Sequence, residues 1–187
     1  MSKVDLELEN AIRRYLSELD KDILSSDIAK TPKRFVKQLE ESLSGYNQDP
    51  QKHLTLLNNR DYKDLIVVSD ISFISMCEHH LMPFYGTVSV AYLPKSKILG
   101  LSKFARIVDI FSKRLQVQER LTHELTTFFA ENLETDLVMT SIIAQHTCMT
   151  LRGALRPQSV TRTFSIVGDA GKNASYINYF QNTLGKS

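Results

Sequence analysis

The sequence predicts an α+β fold: helices first, then a sheet interrupted by one helical insert. Two observations carry this. In the first third, apolar residues recur at helical spacing, and from about Leu65 the period falls to two. Two runs of strands then flank a single long helical stretch, which favours a segregated α+β sheet over an alternating parallel one. We accordingly divide the chain into an N-terminal helical region, 1–60, and a sheet-bearing domain, 61–187.

Leu8, Ile12, Tyr15, Leu16 and Leu19 line one face of a first helix. A second begins at TPKRFVKQLEESL, with Thr31 expected as N-cap and Pro32 at the first helical position, where a missing N–H costs nothing. Phe35, Val36, Leu39 and Leu43 form its apolar stripe, and the polar SGYNQDPQKH reads as a connector. LIVVSDISFISM is rich in β-formers, and TVSVAYLP alternates, with Val88, Val90 and Tyr92 on one face. The helical insert runs from Ser102 to about Glu134. Phe104, Ile107, Val108, Phe111 and Leu115 mark its first part, and Leu121, Leu125, Phe128 and Phe129 its second. DLVMTSIIAQHTCMTLRG is again extended, VTRTFSIVG is a further strand, and NASYINYFQNTL a closing helix.

The bulk numbers exclude several classes. At 187 residues, 42% hydrophobic and 24% charged, the chain has the balance of a soluble globular protein with a real core. A net charge of +2 without a dense basic run argues against nucleic acid. No stretch approaches the roughly 20 apolar residues of a membrane helix. Acidic residues in MSKVDLELENAIRRYL stand where a signal peptide is apolar, so a cytoplasmic protein is expected. In that compartment the two cysteines, Cys77 and Cys148, are metal ligands or inert core thiols rather than a disulfide.

Their neighbours favour metal. SMCEHHLMPFYG, from Ser75 to Gly86, sets a cysteine, an acid, two histidines and a proline within a few positions. Cys77 and His80 can share an ion only if the backbone turns between them, and Pro83 and Gly86 suit a bend; this short bite is common in zinc sites. The second half is QHTCMTLRG. On an extended strand His146, Cys148, Thr150 and Arg152 share one face. The plain alternative is a core histidine beside a buried thiol, yet both cysteines sit two residues from a histidine. Thiolate plus imidazole favours zinc. A structural site closes with four protein ligands, whereas Cys77, Cys148 and one histidine supply three, with two more histidines nearby. Three ligands leave room for a water whose pKa zinc lowers to about 7. Spare histidines can then shuttle protons, which suits hydrolysis.

GLSKFARIVD puts Ser102 at a helix cap, with Lys103 and Arg106 in the first turn. Cations there oppose the helix dipole, a choice that makes sense if an anion belongs at that end; the plain alternative is a solvated helix start. Arg152, about 13 Å beyond Cys148 at ~3.3 Å per strand residue, adds a cation at a nucleotide's span from the metal. In QVQERL, Gln118 and Glu119 open the second half of the insert. A carboxylate beside an amide can read the paired N–H donors of guanine, while a helix-end acid is the plainer reading.

Together these motifs resemble GTP cyclohydrolase I. The likeness is strong from Leu65 to Gly153, through CEHHLMPFYG, GLSKFARIVD, RLQVQERLT and HTCMTLRG, and looser at TPKRF and RPQSVT. Several motifs in order make it specific; CEHH alone does not. The resemblance implies the tunnelling fold, an antiparallel sheet with two inserted helices preceded by N-terminal helices, with the catalytic domain at 61–187. It implies zinc-dependent hydrolysis of the GTP imidazole ring, release of formate and formation of 7,8-dihydroneopterin triphosphate, the first step of tetrahydrofolate or tetrahydrobiopterin synthesis. Zinc would be held by Cys77, His80 and Cys148. His79 and His146 would be the acid/base pair, assisted by Ser102 and Gln118. Glu119 would grip guanine, and Lys103, Arg106 and Arg152 the triphosphate, with Arg34 and Lys37 as further candidates. A cytoplasmic homodecamer of bacterial type, without a regulatory extension but a candidate for allosteric control, completes what the resemblance implies.

One rival keeps the zinc chemistry and another keeps the fold. Nucleobase deaminases need H-x-E and P-C-x-x-C, which are absent here. Tunnelling-fold relatives include a pterin synthase and a nitrile reductase, against which HTC and GLSK both argue. A binding module with structural zinc is the reading from another class. It requires a fourth protein ligand.

Overall fold

The helical period of the first third folds into α1 (Lys3–Leu19) and α2 (Thr31–Ser42). The computed structural model describes residues 2–23 and 27–184, and its compact units divide between Ser44 and Gly45. In the first unit Ser2 caps α1 through a reciprocal pair with Asp5, satisfying two otherwise orphaned N–H groups. Arg13 donates to Glu9 and to the Ala29 carbonyl, tying α1 to the turn before α2. Thr31 is not the cap expected of it: α2 takes Thr31 as its first residue, after Lys30, without a side-chain cap bond. Pro32 still stands in the first turn, and it is buried with Val36, while Phe35 stays exposed. Arg34 and Lys37 lie exposed on α2, Lys37 paired with Glu41 at 3.6 Å.

The second unit is built on β1 (Leu56–Asn58), β2 (Ile66–Cys77), β3 (Pro83–Pro94), β4 (Lys97–Leu99), α3 (Leu101–Ser112), β5 (Leu115–Gln116), α4 (Gln118–Asn132), β6 (Thr135–His146), α5 (Thr147–Thr150), β7 (Thr161–Gly168) and α6 (Ala174–Thr183). Residues 45–60 fold with it. The Gly45 N–H donates to the Lys113 carbonyl, and a Cβ on Gly45 would lie 2.1 Å from the Ile110 carbonyl oxygen, so only glycine fits. β1 pairs with β4 as a separate two-stranded ladder.

The main sheet runs β5-β2-β3-β6-β7. Its long pairings are antiparallel, as expected; β5 departs, joining β2 in parallel through Met76↔Leu115 and Cys77↔Gln116. This short strand breaks the helical insert into α3 and α4, which is why Leu115 lies outside a helix. Alternation sends Val88, Val90 and Tyr92 to one face, against Phe104, Ile107, Leu121, Leu125 and Phe129 of α3 and α4. The opposite face sends Ala91, Leu137 and Met139 against Phe180 of α6. With both faces covered, the middle of β6 is buried without a break from Leu137 to Ile142, Thr140 and Ser141 included. Each fully buried large side chain here contributes about 1.5–3 kcal/mol. Among the described residues, the outer edges of β7 and of β2 from Ile66 to Ser75 have no strand partner.

Candidate metal centre and active site

Strand register assembles the site. Met76 pairs with Pro83 across β2 and β3, and Phe84 pairs with His146 across β3 and β6. The C-terminal ends of β2 and β6 therefore lie at the same end of the sheet, one strand apart. After Cys77 the chain makes a tight hairpin turn. Cys77 N–H donates to Met82 O at 2.8 Å, and Leu81 N–H returns to Cys77 O at 2.9 Å. Leu81 sits at φ 51°, a left-handed position costing a β-carbon-bearing residue about 1–2 kcal/mol. Gly86, expected to help this bend, lies inside β3 instead. A Cβ there would stand 1.9 Å from the Ile143 carbonyl oxygen, so glycine lets β3 and β6 approach.

The extended reading of QHTCMTLRG is overturned. β6 stops at His146, and Thr147–Thr150 forms one helical turn, α5. The Thr147 hydroxyl donates to the Pro83 carbonyl at 2.5 Å and holds that turn against the start of β3. Cys148 reaches Cys77 by winding, not by strand alternation, and the strand-based offset for Arg152 does not apply. Arg152 is exposed just beyond the turn, and its charge acts on the Cys148 thiol.

Cys77, His80 and Cys148 each offer a ligand atom, and these lie within 4.8 Å of one another. Cys77 Sγ stands 3.5 Å from His80 Nδ1. Two ligands on one tetrahedral zinc, with Zn–S ~2.3 Å and Zn–N ~2.0–2.1 Å, stand about 3.6 Å apart. The residues fit the ion. Burial, then the adjacent Cys77, push the Cys148 thiol above its ordinary pKa, with Arg152 opposing. The Cys148 thiol therefore resists ionising until a cation joins it.

Beside the cluster, His146 stacks on Phe84, ring centroids 4.7 Å apart and planes within 4°. His146 Nε2 lies 2.8 Å from Gln118 Oε1. Gln118 opens α4 and is buried, its Nε2 engaged by Ile142, Thr161 and Thr163. Burial pulls the His146 imidazole below its ordinary pKa, and the exposed Glu119 carboxylate opposes this.

His79 is different. It is exposed on the turn, with Nε2 3.8 Å from Glu78 Oε1. Glu78 in turn accepts from Arg120 Nη2, which also donates to the Leu115 carbonyl at 2.7 Å, while Nε donates to Gln116 Oε1 at 3.0 Å. The Arg120 hydrogen bond holds the Glu78 carboxyl below its usual range. Phe84, Arg120 and Thr163 were not singled out from sequence. Phe84, inside the quoted CEHHLMPFYG, gave a signal only by its proximity.

Ser102, Lys103 and Arg106 stand at the start of α3, where Gly100 rather than Ser102 is the cap. Among the described residues, no hydrogen bond or ion pair ties them to the metal cluster.

The geometry agrees with comparison to known proteins. The GTP cyclohydrolase I family model matches residues 8–184. The chain is 41% identical over 188 residues to GTP cyclohydrolase 1 of Bacillus pumilus (strain SAFR-032), covering 97% of this chain and 100% of that protein. It is 44% identical over 170 residues to GTP cyclohydrolase 1 of Bacillus mycoides (strain KBAB4), covering 90% of each. The chain belongs to the GTP cyclohydrolase I family. An archaeosine synthase QueF-Like structure in the apo form is also similar, at 17% identity and TM-score 0.48, over 58% of this chain and 98% of that one. GTP cyclohydrolase I enzymes are metalloenzymes, and in this member Cys77, His80 and Cys148 form a cluster that can hold the ion.

Proposed function

We propose that this member of the GTP cyclohydrolase I family holds zinc through Cys77, His80 and Cys148 for the hydrolysis of GTP to formate and 7,8-dihydroneopterin triphosphate, the first step of folate synthesis. One observation carries the zinc reading: three donors converge, and among the described residues the cluster contains no fourth. Structural zinc sites close with four protein ligands. Bound there, zinc supplies a water with its pKa lowered to about 7 and stabilises developing negative charge.

The chain's own residues supply the rest. C8 of a purine is a poor electrophile until N7 is protonated, and exposed His79 beside the metal turn donates that proton. His146, held on Phe84, moves protons in the later ribose opening and ring closure. Ser102, exposed at the start of α3, assists those later transfers. Glu119, exposed at the start of α4, accepts from the guanine N1 and N2 donors. Lys103 in the first turn of α3, where anions are favoured, Arg106 in the second turn and Arg152 beyond α5 offer charge to the triphosphate.

The family's homodecamer is the proposed assembly, supported by the unpaired edges of β2 and β7, which a second copy can extend. We infer a cytoplasmic site of action, since both cysteines are free thiols and must stay reduced to ligate metal. No described helix is long and apolar enough to cross a membrane.

The test is metal content followed by formate release from GTP labelled at C8. The wild-type chain is expected to hold one zinc and release labelled formate, and Cys148→Ala to lose both. Zinc retained without formate release in the wild type would return the site to a structural role.

A further inference from the structure

We propose that Gln118 is a positioning residue that locks neutral His146 as its Nε2–H tautomer, so that Nδ1 is the nitrogen through which His146 exchanges protons. The inference deepens the acid/base reading of His146 and rests on it. Gln118 is 1% exposed. Its Nε2 lies 3.1 Å from Ile142 O, 3.1 Å from Thr161 O and 3.0 Å from Thr163 Oγ1. Backbone carbonyls only accept, so the amide NH2 must face β6 and β7. A flipped amide would set its oxygen against two carbonyl oxygens in a buried place and leave those acceptors unsatisfied.

The hydroxyls agree with this direction. Thr122 Oγ1 spends its one proton on the backbone carbonyl of Gln118 at 2.7 Å. At the 2.6 Å contact between the two threonines, Thr163 is therefore the donor, and its oxygen is left to accept from Gln118. Oε1 is then fixed as an acceptor 2.8 Å from His146 Nε2, and the imidazole must donate. Phe84, stacked within 4° of the ring plane, holds that plane, and a half-turn of the ring within it would set Cε1 against Oε1 and forfeit the bond. With both polar atoms of its side-chain amide engaged and almost no exposed surface, the Gln118 side chain does not itself reach GTP. It acts through His146, in place of the catalytic contact that the resemblance implied.

Solid-state 15N NMR of histidine-labelled, zinc-loaded protein without substrate reads the tautomer directly, with His146→Asn assigning the signal by difference. We expect a pyrrole-type Nε2 and a pyridine-type Nδ1. The reverse pattern overturns the proposal whether or not any variant folds. In Gln118→Met, which keeps the volume but offers no acceptor, the Nε2–H preference should be lost. There, kcat for dihydroneopterin triphosphate should fall by about 10²- to 10⁴-fold, with KM for GTP and zinc content unchanged. A Gln118→Met variant that keeps the wild-type NMR pattern also overturns the lock. A changed tautomer with unchanged kcat instead supports the lock and removes His146 from the acid/base chemistry, which separates the two failures.

Discussion

His79 and His146 stand at the same end of the sheet and are held in opposite ways. His146 ends a central strand, lies flat on Phe84 and meets an amide whose every polar atom is committed. His79 projects from the turn after β2, its side chain 64% exposed, with the Glu78 carboxylate 3.8 Å from Nε2 and the His80 ring edge-on at 6.2 Å. One group is given a fixed direction by the core; the other is free to meet an incoming ring. Under the proposed chemistry, the contrast divides proton transfer between a clamped partner and an exposed one. It also means that damage to the two should register in different measurements.

The comparison breaks most sharply at Phe84, which is fully buried and also meets Phe73 edge-on at 5.8 Å. Phe84→Ala is expected to cost about 3–5 kcal/mol in denaturant unfolding and to depress turnover as well, because stability and orientation share that ring. His79→Ala should separate the two quantities. Formate release falls by about 10²- to 10⁴-fold, while unfolding free energy moves by less than ~0.5 kcal/mol and zinc stays bound. Normal release in that variant removes His79 from the mechanism.

Arg120→Met tests whether the exposed turn is braced from α4. Its pair with Glu78 is partly exposed on both sides, so the stability loss should stay below ~1 kcal/mol. Zinc affinity, measured by chelator competition, or turnover should nevertheless fall about 10- to 100-fold, as for residues that orient metal ligands. Unchanged zinc affinity together with unchanged turnover would reduce the pair to surface decoration.

The smallest effect lies away from the site. Buried Tyr92 accepts from the Leu99 N–H at 3.1 Å, and burial raises its phenol pKa despite that bond. A raised folded-state pKa means stability is fully present below the unfolded value of about 10 and is lost as pH rises through the folded value. Tyr92→Phe should cost about 0.5–1.5 kcal/mol at neutral pH and flatten the alkaline decline seen in thermal unfolding. A decline of the same steepness in the variant would assign it to other groups.

Much of this was legible before the structure. Period and punctuation gave the strand pair, the two inserted helices and the second strand pair, because burial on one or two faces writes itself into residue order. The donor types were legible too: two cysteines and a histidine stand out by residue type, while the choice of His80 came from the resemblance. Three things were not. Thr147–Thr150 reads as strand, and it winds because the Thr147 hydroxyl finds the Pro83 carbonyl, a partner remote in sequence. Gly86 reads as a turn residue, but its freedom is used where β6 crosses close by. Gln118 reads as a polar group for the substrate, and it ends inside the core because β6 and β7 leave two carbonyls beside the start of α4.

By itself the sequence determined the family, the order of helices and strands, and the chemical identity of the donors. Those are properties of local pattern and of side-chain type, which covalent order carries unaided. Tertiary structure alone decided that Cys148 stands within ligand distance of Cys77, and that His146 is clamped while His79 stays exposed. Distances of that kind depend on the register of three strands and on which backbone groups remain unpaired at their ends, and no single stretch of chain contains either.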